Sequence, residues 1–146
     1  MDRLNNWLKT LFEEFNDYEN TDEVQRIMKK CGSNCAKDCG MHEIVAKMKE
    51  EIRDISDFTE VLATIKSNLG EGFEVVEGGF IAEFGDGKCV CPLVSGQYIN
   101  SPVLCNCTRG FNESVWSNFF DRPVKVELLQ TVLRGGNTCK IKVLID

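Results

Sequence analysis

The period of the apolar pattern changes near residue 70, and this change limits the folds open to the chain. Before Gly70 apolar residues recur three and four positions apart, the repeat of one helix face. After it they alternate, or run in short bursts between glycines, as strands and turns do. Leu4, Trp7, Leu8, Leu11, Phe12 and Phe15 mark a first helix. Thr21 is an N-cap for a second that carries Val24, Ile27 and Met28. The signal weakens over Cys31-Gly32-Ser33-Asn34, and the pattern resumes by Cys35. Ile44, Val45, Met48 and Ile52 continue a stripe. Ser56-Asp57 caps a further helix with Phe58, Val61, Leu62, Ile65 and Leu69, which Gly70 and Gly72 end.

The second half reads as strands at 73–77 and 80–84 about Gly78-Gly79, then a tight turn at Asp86-Gly87 leading into Lys88-Cys89-Val90-Cys91. Val103-Leu104-Cys105 is a further short strand candidate, and 108–120 a helix burying Phe111, Val115, Trp116, Phe119 and Phe120. A hairpin pairs 124–133 with 138–145 around Gly135-Gly136-Asn137. The expected fold is therefore α+β: N-terminal helices packed on a C-terminal antiparallel sheet, with one further helix crossing it. With 146 residues and no linker or repeat, a single domain is expected over 1–146, its helical half at 1–70 and its β-rich half at 71–146.

Charge and apolar content exclude several functions. The net charge is −6 and basic residues are dispersed, which argues against nucleic acid as a partner. No apolar run approaches the roughly 20 residues that cross a bilayer, so no membrane role is expected. The first residues are acidic and amphipathic, unlike a secretory signal, and a cytoplasmic location follows. In a reducing compartment the eight cysteines, about 5% of the chain, read as thiols before they read as a disulfide framework.

Three clusters and one single residue account for those thiols. Cys31, Cys35 and Cys39 have C-x3-C-x3-C spacing, with His42 three residues on. On one continuous helix the first and third would lie about 12 Å apart along the axis, so a shared ion requires a break in the helix. Gly32, Ser33, Asn34 and Gly40 could supply it. His42, the one histidine, is either a surface or capping group or a fourth ligand there. Cys89-Val90-Cys91 and Cys105-Asn106-Cys107 are C-x-C pairs; at strand ends each would point two sulfurs to one face. Four converging thiolates favour zinc or an iron–sulfur cluster over harder metals. Cys139 alternates with Ile141, Val143 and Ile145, the pattern of a core-facing strand position. These spacings match no standard zinc-finger or ferredoxin arrangement.

Three readings stay open. The first is a domain that binds metal or a small molecule through clustered thiolates beside an apolar pocket. The second is a thiol-dependent enzyme, a redox dithiol or a nucleophile, with Arg109 and a following helix N-terminus depressing a thiol pKa. In the third the cysteines are merely buried in an interaction module. No Ser/His/Asp set, HExxH, Walker loop or GxGxxG is present.

The stretch Leu104-Cys105-Asn106-Cys107-Thr108-Arg109-Gly110-Phe111, the strand Arg122-Pro123-Val124-Lys125-Val126-Glu127-Leu128-Leu129 and Gly135-Gly136-Asn137-Thr138-Cys139-Lys140-Ile141 carry a resemblance. Over roughly 73–146 they resemble the 4-vinyl reductase-like (hydrocarbon-binding) domain family and its Cys-rich bacterial relatives. That resemblance implies helices on an antiparallel sheet, an often dimeric assembly, and a pocket for a small apolar molecule or a metal ion. By position it implies Cys107 and Cys139 as metal ligands, with Glu127 on the adjoining strand.

Overall fold

The computed structural model describes residues 2–95 and 100–145. Four helices come first: α1 (Asp2–Asp17), α2 (Asp22–Asp38), α3 (Met41–Glu50) and α4 (Phe58–Leu69). Strands β1 (Phe73–Val76) and β2 (Gly79–Phe84) follow as a hairpin. A helical turn, α5 (Pro92–Ser95), and the long helix α6 (Cys105–Phe120) then lead to β3 (Val124–Gln130) and β4 (Cys139–Ile145). The result is the expected α+β fold, with an antiparallel four-stranded sheet in the order β1-β2-β4-β3.

The caps anticipated from sequence are made. Thr21 Oγ1 accepts from the Val24 N–H at 3.4 Å, and Asp57 Oδ1 accepts from the Thr59 N–H at 3.1 Å. Alternation along β4 turns Cys139, Ile141 and Val143 inward, opposite Phe84, Ala82 and Phe80 of β2. α6 covers this face, with Trp116 edge-on to Phe80 at 5.0 Å between ring centroids. Ala36, Val45, Met48, Val61 and Ile65 of the N-terminal helices join Phe80, Val126 and Ile141 in the same core. On α1 the apolar stripe is only partly covered: Leu8, Phe12 and Phe15 pack inward, while Leu4 and Trp7 are exposed.

Two glycines set how closely α2 and α6 approach. A Cβ at Gly32 would lie 1.9 Å from the Cys107 carbonyl oxygen, and one at Gly110 would lie 2.1 Å from that of Lys29. The helices therefore cross backbone against backbone, a contact that only residues without a side chain permit. The crossing brings Cys35, three residues beyond Gly32, to the end of α6 that carries Cys107.

Several local expectations are corrected. α2 runs unbroken through Cys31-Gly32-Ser33-Asn34, because packing against α6 outweighs the weak helix propensity of those residues. The break falls at the last residue of the triplet: α2 ends at Asp38, with Cys39 as its C-cap and Gly40 in the left-handed conformation. Cys89-Val90-Cys91 is not a strand; β2 ends at Phe84, and the segment has no ladder partner. Pro92 opens α5 instead of closing a strand, and the Cys91 carbonyl accepts from the N–H of Val94 (3.0 Å) and Ser95 (2.9 Å). Val103-Leu104-Cys105 is helical too, a 3-10 turn (Pro102–Leu104) running directly into α6. A short apolar run fits either element, and the preset φ of Pro102 suits a helical turn. β3 stops at Gln130 with an irregularity near Leu129, and Val132–Arg134 forms another 3-10 turn.

Candidate functional site

One cavity of about 300 Å³ gathers most of the cysteines in the molecule. Six cysteines line it: Cys35 from α2, Cys89 and Cys91 from the loop after β2, Cys105 and Cys107 from the start of α6, and Cys139 from the start of β4. Each arrives for a separate reason. Cys35 is carried by the glycine crossing. Cys139 sits opposite Phe84 at the sheet end where the cysteine loop departs, and the Gly87 N–H ties that loop to the Asn137 carbonyl at 2.8 Å. Cys105 and Cys107, two apart on a helix, point about 200° apart around its axis. Both reach the cavity because it wraps around the first turn of α6. The remaining wall is largely apolar, including Phe84, Val90, Leu104, Phe111 and Leu133.

The thiols differ in environment. Cys105 is buried and donates to Thr131 Oγ1 at 3.2 Å, and the Arg134 guanidinium reaches both its sulfur and Glu19. Cys139 Sγ, also buried, accepts from the Val132 N–H at 3.5 Å. Burial pushes the Cys107 thiol up to about 12, and the neighbouring Cys31, Cys91, Cys35 and Cys105 add to the effect. Cys35 is raised by burial and then by Cys39, Cys91 and Asp38. Cys89 is raised by burial and by Cys91, Cys139 and Cys105, against a lowering hydrogen bond from the Cys91 backbone. Neighbouring sulfurs thus add to the effect of burial at Cys35, Cys89 and Cys107.

Both C-x-C pairs line the cavity, although neither stands at a strand end, and Cys35 and Cys139 join them. Cys31 and Cys39 do not line the cavity; both are exposed, and Cys39 Sγ donates to the Ala36 carbonyl at 3.5 Å. An unbroken α2 keeps the triplet from closing on one ion. His42 lies apart from the thiols, with Nε2 2.8 Å from Ser114 Oγ beside a different hollow. Glu127 on β3 stands opposite Lys142 and is absent from the cavity wall. Arg109 likewise turns away, its Nη1 donating to Gln25 Oε1 at 2.8 Å. Among the described residues no group of three or more His, Cys, Asp or Glu is placed to hold a metal ion. None of their helices is long and apolar enough to cross a membrane. Thr131, Phe84 and Leu133 entered the wall without a sequence signal. Gly32 and Gly110, small residues inside helical patterns, were the readable sign of a close crossing.

A family model described as a family of unknown function (DUF6144) matches residues 1–146. No curated protein matches the chain.

Proposed function

The chain belongs to the DUF6144 family of unknown function, and we propose that its thiol cavity binds a thiophilic metal centre, zinc or iron–sulfur. One observation carries the reading: six cysteines from four separate segments line a single cavity of about 300 Å³. Among the described residues neither His, Asp nor Glu contributes to that wall, and an all-sulfur donor set selects zinc or iron–sulfur over magnesium, calcium or manganese. Mutual opposition to ionisation is what closely spaced thiols show before a cation compensates them. Loading then has to draw the sulfurs inward. Cys89 and Cys91 are the natural movers, since their loop lies outside the sheet ladder.

The raised thiols run against an activated nucleophile, which needs its thiolate at neutral pH. A second reading, a pocket for a small apolar molecule, draws on Phe84, Val90, Leu104, Phe111 and Leu133 in the wall and on the hydrocarbon-binding resemblance. Metal and acid-labile sulfide analysis of protein purified without oxygen, with its visible spectrum, separates the two. Stoichiometric metal that is lost on replacing Cys91 and Cys107 with serine is the expected result. Metal-free, colourless protein that takes up neither Zn²⁺ nor reconstituted iron and sulfide would leave only the apolar-ligand reading.

A further inference from the structure

On the other side of the first turn of α6 lies a second cavity, of about 450 Å³, whose character is polar. Glu19, Gln25, Asn106, Arg109 and Arg134 line it beside Leu128 and Leu129 of the edge strand β3. Its charges do not balance. Glu19, the one carboxylate in this described wall, accepts from Arg134 and from Asn106 Nδ2 at 3.3 Å. Arg109 has no carboxylate among the described residues; its Nη1 donates to the neutral Gln25 amide, and its Nε–H is buried without an acceptor. A half-buried guanidinium without an anion is costly, and in a chain of net charge −6 carboxylates are not scarce. Two guanidiniums against one carboxylate leave a single positive charge in the wall.

The geometry points to this cavity as a binding site for a small aliphatic monocarboxylate, held by Arg109 and packed on Leu128 and Leu129. Nη1 is held by Gln25 and Nε–H is enclosed without an acceptor, so this guanidinium in the cavity wall keeps hydrogen-bonding capacity and charge that no carboxylate among the described residues takes up, and a ligand carboxylate suits it. One surplus charge suits a monoanion; a phosphate dianion would leave negative charge against Glu19. This site shares Thr131 with the thiol cavity, and Arg134 also reaches the Cys105 sulfur, but Arg109 and the leucines that would hold the ligand are absent from the thiol cavity's wall.

Calorimetric titration of the full chain with propionate, and separately with inorganic phosphate, tests the assignment. Propionate is expected to bind saturably with Kd of about 1 mM or below, and more tightly than phosphate. Arg109→Gln should weaken it about tenfold or more, the loss that follows removal of one charge-assisted partner, whereas Lys47→Gln on the distant α3 should not change it. In the unaltered chain the Arg109 Nε–H resonance should shift with the same midpoint, a readout that needs no variant to fold. No saturable propionate binding, phosphate binding as tight or tighter, unchanged affinity in folded Arg109→Gln, or an unmoved Nε–H resonance would each overturn it.

Discussion

Gly110→Ala puts the helix crossing that builds the site to a direct test. In most exposed helix positions this change stabilises by about 1 kcal/mol, because alanine is the better helix former. Here the new methyl would sit 2.1 Å from the Lys29 carbonyl oxygen and 2.5 Å from Lys29 Cα. An ordinary carbon–oxygen contact is about 3.3 Å or longer, so α2 and α6 must separate by about 1 Å. The obstacles are backbone atoms, which cannot rotate away. Overpacking of this kind costs about 1–3 kcal/mol, and separating the helices also loosens Met28 and Ala36, which are buried on α2. Net destabilisation of about 2 kcal/mol is expected, a fall of about 1 M in the urea midpoint at an m-value near 2 kcal/mol/M. Gly32→Ala, with its Cβ 1.9 Å from the Cys107 carbonyl oxygen, should behave alike. One separation of the helices relieves both methyl groups, so the double variant should cost less than the sum of the two. Asn34→Ala, on an exposed position of α2, serves as the control and should move stability by a few tenths of a kcal/mol at most. If Gly110→Ala folds with equal or greater stability than the parent, the close crossing is wrong.

Two further changes follow from individual side chains. The folded chain holds the Cys107 proton more tightly than the unfolded one, with a pKa near 12 against 9.0, so stability should fall as pH rises through that interval. The contribution is complete below about pH 9 and is lost toward pH 12; urea midpoints across the range should show a shallower decline for Cys107→Ser. Ser114→Ala removes the 2.8 Å contact with His42 and should lower stability by about 1 kcal/mol by urea denaturation. Because His42 stands apart from the thiols, neither metal content nor thiol reactivity should change with it.

Much of the architecture was legible because period and punctuation agreed. The change of repeat near Gly70, the Asp57 cap and the alternation of Cys139, Ile141 and Val143 each record local physics, and all three appear in the fold. Errors fell where local signals were weak or tertiary contacts overruled them. Leu104 and Cys105 form a run too short to distinguish strand from helix, and Gly32 looked like a helix break when it marks a contact with α6. The site was legible only in part for the same reason. The two C-x-C pairs share a cavity, but from a loop and a helix instead of the strand ends their spacing suggested, and Cys35 reaches it through a helix crossing that no spacing rule contains. Cys139 reaches it because strand register sets it opposite Phe84. Arg109, expected beside the thiols, lines the polar cavity instead, its guanidinium donating to Gln25.

Site-resolved alkylation of anaerobic protein, with and without Zn²⁺, tests the central claim most directly, because mass spectrometry assigns each thiol separately. The account predicts that Zn²⁺ protects four thiols, the number of a closed tetrahedral site, drawn from Cys35, Cys89, Cys91, Cys105, Cys107 and Cys139. Cys31 and Cys39 should label equally in both samples. Protection of Cys31 or Cys39, or labelling that Zn²⁺ leaves unchanged at all six cavity positions, would contradict it.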